Sequence, residues 1–487
     1  MSPSATPAAV RWTVAVALAG TALLAAVGIV APAGSAGDSP GVVQAPRGGG
    51  YPWQDARPLR THRDRLDVGV THTQYSLDPW GSAKALGVAR TVLTATATYQ
   101  NQHIFGWGTL NPEPSPGVYD WSSLDRRMAL IRSTGGIPVL TLCCAPDWMK
   151  GGRAGETDWN RLHEAPRPEH YPDFAALAVA VARRYPDVRH FVVWNELKGF
   201  WDDTRNRWDY ESYTIFYNTV YDALKAYDRT LAVGGPYVVV DTWADREAGG
   251  RPSTLSGECG TVDRRSLDAL EYWLLHKNGA DFVAIDGGAV TRDGGPVASG
   301  VVQSAIFGAI TRWLRERTRL PIWWSEFHIG RGGPEDQPML SAAVVGALLY
   351  MVEEKASVAL YWQPQHPADT AAERPPTLWG PTELAGGGQP TVLAEALARM
   401  QQLLADPADD LVSWPLEQVG VLHGRTALLV VNTGGAAATV RIQGLRLRLE
   451  PFELRYVELP AGAPQEPPGW WRPAVDLCLR EQPPPAG

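Results

Sequence analysis

Between Asp67 and about Gln363 the chain alternates short, β-branched apolar runs with longer stretches of helical periodicity. Eight runs can be marked: Asp67 to Thr71, Ala89 to Leu93, Ile137 to Leu142, His190 to Trp194, Leu231 to Gly235, Phe282 to Asp286, Ile322 to Glu326 and Val358 to Trp362. Between them lie amphipathic segments such as Trp121 to Thr134, Phe174 to Arg184, Tyr210 to Tyr227, Ser266 to Asn278, Gln303 to Arg317 and Leu340 to Lys355. Strand–helix units in that number, spread over about 300 residues, predict an α/β fold in which a parallel sheet closes on itself as a (β/α)8 barrel. The expected barrel domain runs from 64 to 404 and ends with a helix over Leu393 to Leu404.

The flanks read differently. Arg11 precedes an apolar run from Trp12 to Ala31, and Pro32-Ala33-Gly34-Ser35-Ala36 follows with small residues, so residues 1 to 36 are expected to be a signal peptide cleaved after Ala36. The run approaches the ~20 residues that span a bilayer, so an uncleaved N-terminal anchor is the alternative. Either way the folded part is expected to be secreted or held outside the membrane, with no stable membrane association once the signal is cleaved. Residues 37 to 63 form a linker and N-terminal extension, rich at first in Gly, Pro and Ser. After residue 404 the texture changes to short alternating strands separated by glycines, which predicts a small β-sandwich over 405 to 460, and the stretch from 461 to 487 is a Pro-rich tail.

A formal charge of -8 and a pI near 5.7 offer no basic field for phosphate backbones, which argues against nucleic-acid partners. The chain holds 20 Trp and 16 Tyr against 9 Phe, an excess of flat rings with a polar edge that suits sugar faces as well as cores. Cys143, Cys144, Cys259 and Cys478 show no zinc-like spacing, and neither a phosphate-binding glycine loop nor a Gly-x-Ser-x-Gly elbow occurs; no metal or cofactor is expected. If Cys143 and Cys144 end a strand, their side chains point to opposite sides, and one bridge from this pair to Cys259 is expected.

Two run ends stand out. Phe191-Val-Val-Trp-Asn-Glu-Leu197 closes the fourth run with Asn195-Glu196, and Ile322-Trp-Trp-Ser-Glu326 closes the seventh. The C-terminal ends of barrel strands carry catalytic side chains, and two glutamates there can approach one sugar ring. Retaining glycoside hydrolysis needs such a pair at roughly 5 Å, one protonated and one ionised.

Trp194-Asn195-Glu196 and Trp324-Ser325-Glu326, at the fourth and seventh strands, resemble the acid/base and nucleophile motifs of clan A glycoside hydrolases. Within that clan Gly106-Trp107-Gly108, the Gly117-Val-Tyr-Asp-Trp121 turn, Val233-Gly-Gly-Pro-Tyr237 and the C-terminal sandwich are similar to glycoside hydrolase family 39, the β-xylosidase and α-L-iduronidase group; the resemblance spans about 67 to 460. It implies that Glu196 protonates the leaving oxygen, that Glu326 attacks the anomeric carbon, and that Asn195 binds the neighbouring sugar hydroxyl. It implies an oligosaccharide or polysaccharide substrate, a β-xyloside first. A non-catalytic carbohydrate-binding protein and a transglycosylase are the competing readings.

The departures concern specificity. After the sixth run the chain reads Ile285-Asp286-Gly287-Gly288 where clan members often carry His-x-Tyr, so Asp286 either binds sugar hydroxyls or caps a loop. Lys198, Phe200 and Trp201 follow Glu196 and place a cation and two rings near the leaving group. Trp107, Trp148, Tyr237, His328 and Trp362 lie at or beyond run ends and are candidate sugar contacts, whereas His72 reads as a structural histidine.

Overall fold

The computed structural model describes residues 65–77, 81–245, 250–294, 303–368, 373–405, 412–414, 418–442, 444–459 and 478–482. The expected signal peptide and linker lie outside them. No helix among the described residues is long and apolar enough to cross a membrane.

Eight parallel strands close a barrel: β1 (Asp67–Thr71), β2 (Tyr99–His103), β3 (Ile137–Leu142), β4 (His190–Val193), β5 (Ala232–Val239), β6 (Phe282–Gly288), β7 (Ile322–His328) and β8 (Val358–Trp362). The ring is sealed where β1 pairs with β8, from Asp67 opposite Val358 to Thr71 opposite Trp362. Alternation sorts the side chains. Tyr99, Val139, Val192, Phe282, Ala284, Trp323, Val358 and Leu360 pack together inside the barrel, while their neighbours Leu140, Phe191, Val193, Val283, Ile285 and Trp324 join the larger core beneath the surrounding helices.

One strand differs from expectation. Ala89 to Leu93 belongs to a helix, α1 (Ala83–Thr96), and β2 is instead Tyr99-Gln-Asn-Gln-His103. The buried positions Ala85, Ala89, Val92, Leu93 and Thr96 recur every three or four residues, which is helical spacing, and the Ser82 side chain caps the first turn. The true strand is polar and so carries no apolar run to mark it. Gln100, Asn101, Gln102 and His103 are all buried, satisfied by partners such as Thr71, Thr134, Thr141 and Arg127 that only the closed barrel supplies.

Beyond the last helix, α2 (Val392–Leu404), a four-stranded antiparallel sheet of Val412–Trp414, Val419–His423, Ala427–Asn432 and Leu454–Glu458 faces a hairpin of Ala438–Ile442 and Leu445–Leu449. Val421, Leu428 and Val430 pack toward the hairpin residues Val440, Ile442 and Leu449, while Leu422, Leu429 and Val431 join the barrel's core. The period-two pattern thus builds a sandwich whose outer face is fixed to the barrel.

The disulfides correct the expected pairing. Cys143 is bonded to its neighbour Cys144 just past β3, and Cys259 to Cys478. Both members of the first pair lie beyond the strand's last residue, so strand alternation does not govern them. Cys478 draws a piece of the C-terminal tail back, where Arg480–Glu481 pairs with the strand Pro252–Gly257.

Candidate active site

The mouth of the barrel is shaped by departures from strand regularity. At β4 the chain leaves the sheet through left-handed residues, with Trp194 at φ 69°, Glu196 at 52° and Leu197 at 53°. Such values are uncommon for side chains of this bulk and persist only where surrounding packing holds them. Here Trp194 is turned outward among Phe174, Phe200 and Phe216, and its indole N–H donates to the Lys198 carbonyl at 2.7 Å.

At β7 a bulge does comparable work. Trp324 pairs with Ala359 and Phe327 with Tyr361, so Ser325 and Glu326 together oppose Leu360 alone. Strict alternation would put Glu326 on the side of Trp324, beneath the helices. The extra residue returns it to the barrel's inside, and the Ser325 carbonyl it frees accepts from the Thr71 hydroxyl at 2.6 Å. A similar shift in β5, between the pairs Pro236–Ala284 and Val238–Ile285, turns Tyr237 inward.

These devices gather Glu196, Glu326 and Asp286. One carboxylate oxygen from each lies within 4.8 Å of the other two. Glu326 and Asp286 are buried, register partners across β7 and β6. Asp286 lies inside the strand and Gly287 and Gly288 continue it, so the loop-capping reading is replaced by that of an inward carboxyl whose Oδ1 has no hydrogen-bond partner among the described residues. Gly288 serves packing: a Cβ there would stand 2.5 Å from His328 Nε2.

Lys198 is the cation of the cluster, its Nζ 2.6 Å from Glu196 Oε1 and 5.3 Å above the Trp107 ring. Burial pushes the Glu196 carboxyl up, but Lys198, His163 and the Asn195 amide outweigh it and hold the group below its ordinary range. Glu326 has the opposite balance. Burial and the charge of Glu196 push it up to about 8, against the Lys198 charge and the Tyr237 hydroxyl, which donates to Oε2 at 3.0 Å. Burial and both glutamates push Asp286 well above the carboxylate range. Three carboxylates this close are also the described group best spaced for a cation, and the Lys198 ammonium already occupies that role at Glu196.

Asn195 is oriented by His103, whose Nε2 lies 3.2 Å from the amide oxygen; this leaves the amide nitrogen facing Glu196 at 3.3 Å. Burial lowers His103 to about 3, so the ring is neutral. Trp107 stacks on His103 at 4.2 Å with His163 at its edge. On the other side His328 stands 6.0 Å from the Trp362 ring. Trp148 is turned away toward the loops, donating to the Glu113 carbonyl at 3.0 Å and meeting His170 edge-on. Trp201, 37% exposed, sits on a hairpin with Trp208. His72 is buried against Gln100, as a structural histidine would be.

His103 and His163 went unread in the sequence. His103 followed from the misplaced second strand, and the signal that would have found it is the polar alternation after the helix; His163 lies in a loop and gives no local signal.

Protein-family models and curated protein sequences give no match to this chain. Solved structures do. The GH39 enzyme from Xanthomonas axonopodis pv. citri is 16% identical, with a TM-score of 0.50 over 77% of this chain and 73% of that one. SrfJ from Salmonella typhimurium is 12% identical, with 0.53 over 80% and 88%, and the beta-glycosidase BGL167 is 13% identical, with 0.50 over 71% and 98%. The likeness is one of fold. At these identities it establishes the (β/α)8 barrel, and the chemistry rests on the site itself.

Proposed function

We propose that the protein is a secreted, retaining O-glycosidase acting on oligosaccharides or polysaccharides, with Glu326 as nucleophile and Glu196 as acid/base. The observation that carries this reading is the approach of the two carboxylates to within 4.8 Å at the ends of β4 and β7, the short separation that suits covalent double displacement rather than attack by an intervening water.

In the first step a Glu326 oxygen bonds to the anomeric carbon as the bond to the leaving oxygen breaks, and that oxygen takes the Glu196 proton. In the second, Glu196 removes a proton from water, which attacks the glycosyl-enzyme and releases Glu326. Before attack the proton must reside on Glu196. The unliganded site favours it on Glu326, so a proton passes between the two as substrate enters and parts Glu196 from Lys198. The Tyr237 hydroxyl then steadies ionised Glu326, and the Asn195 amide is aimed to meet the hydroxyl beside the reacting carbon. A terminal pentose or similar small sugar, β-xyloside first, is the proposed substrate, with Trp107, Trp362 and His328 as contacts.

The same ion pair favours one second reading, in which ionised Glu196 attacks and Glu326 supplies the proton. A 2-deoxy-2-fluoro glycosyl donor with an activated leaving group separates them, because it arrests the enzyme as its covalent intermediate. Peptide mass mapping is expected to find the sugar on Glu326; a label on Glu196 reverses the roles, and inversion at the anomeric carbon in the first-formed product ends the double-displacement reading.

A further inference from the structure

Resting on the two-glutamate reading, we propose that Asp286 is a third working carboxyl of this site, a neutral acid that donates a hydrogen bond to the substrate oxygen lying between Glu196 and Glu326.

The geometry is that of a three-cornered seat. Three oxygens no more than 4.8 Å apart share a point within about 2.8 Å of each, so one substrate oxygen near it is in hydrogen-bond reach of all three. A sugar hydroxyl brings one hydrogen. It donates to one carboxyl oxygen and must accept from the others; otherwise lone pairs face each other at contact distance among buried groups. The seat therefore accepts a hydroxyl only when hydrogens are held on the protein. Glu196 holds none in the unliganded site, since it faces the Lys198 ammonium at 2.6 Å.

Asp286 is the corner built to hold one. It is 3% exposed, its Oδ1 has no hydrogen-bond partner among the described residues, and two carboxylates stand beside it while the Lys198 ammonium is paired with Glu196. The nearby Asp241 adds a further negative charge and is itself engaged by Arg292 at 2.7 Å. A neutral Asp286 also leaves the two glutamates with one proton between them, so the transfer from Glu326 to Glu196 needs no net uptake from solvent. The hydrogen bond to the substrate survives both halves of the reaction, because Asp286 neither gains nor loses its proton.

Two arms test this. On whichever aryl glycoside the wild type cleaves fastest, Asp286→Asn, which keeps the shape and a neutral N–H donor, is expected to stay within about tenfold of wild-type kcat/KM, while Asp286→Ala falls about a hundredfold. Equal impairment of both variants overturns the proposal. Independently of turnover, infrared difference spectra of the full chain at neutral pH are expected to lose one protonated-carboxyl carbonyl stretch in Asp286→Asn; an unchanged spectrum overturns it. So does thermal stabilisation of the wild type by Mg2+ or Ca2+ that is absent from Asp286→Asn, because a cation seat requires the ionised carboxylate. If no glycoside is cleaved, the glycosidase reading fails by itself, and the infrared arm still decides whether Asp286 is neutral.

Discussion

The ends of β4 and β7 look alike in sequence, each an apolar run closed by a tryptophan, a small polar residue and a glutamate, yet they become opposite environments. At β4 the chain has already left the sheet, and Glu196 stands in the mouth against Lys198 with His163 nearby. At β7 the glutamate stays in the ladder, turned inward by a bulge, where the neutral Tyr237 hydroxyl donates to it and the Asp286 and Glu196 carboxyls stand within 4.8 Å. One glutamate is stabilised as an anion and the other as an acid. The lesson is that position on the barrel supplies proximity, while the partners brought by other strands assign the proton.

The comparison is broken most severely by deleting the β7 carboxylate. Glu326→Ala is expected to lower turnover on an activated aryl glycoside by on the order of 10^4-fold or more, with added azide giving no retained product, since the carboxylate proposed to form the covalent bond is gone. Near-normal rates would remove Glu326 from the mechanism.

Glu196→Ala sharpens the contrast through the leaving group. Basic leaving groups are expected to lose roughly 10^2- to 10^4-fold and activated ones far less, with azide accelerating the second step. Uniform losses across a leaving-group series would show that Glu196 does not deliver the proton.

Lys198→Met erases the main electrostatic difference between the two ends. Lys198 lowers both glutamates, so removing it should move both limbs of the pH profile of kcat/KM to higher pH, by about one unit. Limbs that stay in place would mean that the ammonium sets neither proton.

The last expected effect is on stability rather than rate. Glu326 titrates near 4.5 when unfolded and about 8 when folded, so between those values the folded state binds the extra proton and stability falls as pH rises. Glu326→Gln removes that dependence. Its melting temperature should exceed wild type at pH 8, by the equivalent of roughly 2–4 kcal/mol, and the advantage should vanish as pH falls toward 4.5. An advantage independent of pH would point to packing rather than to a buried charge.

Much of the architecture was legible along the chain. Seven of the eight strands were marked in their places by β-branched runs, because apolar strands between amphipathic helices carry their burial in local composition. Both strand-end glutamates were legible for the same reason, as charges that break an apolar run. The second strand was not, since its polar residues are satisfied by groups from distant elements and look, taken alone, like a solvated loop. The cysteine partners were not either, because spacing does not say where the tail returns.

What the tertiary structure alone decided is the direction and charge of the site's side chains. A period of two would have pointed Glu326 at the helices; one extra residue in β7 turns it inward, and such a bulge depends on the pairing of two strands rather than on either sequence. The proton's place was likewise undecided by sequence. It depends on burial and on charges a few ångströms away, and the chain brings Lys198, Asp286 and Tyr237 to those distances only when the barrel closes.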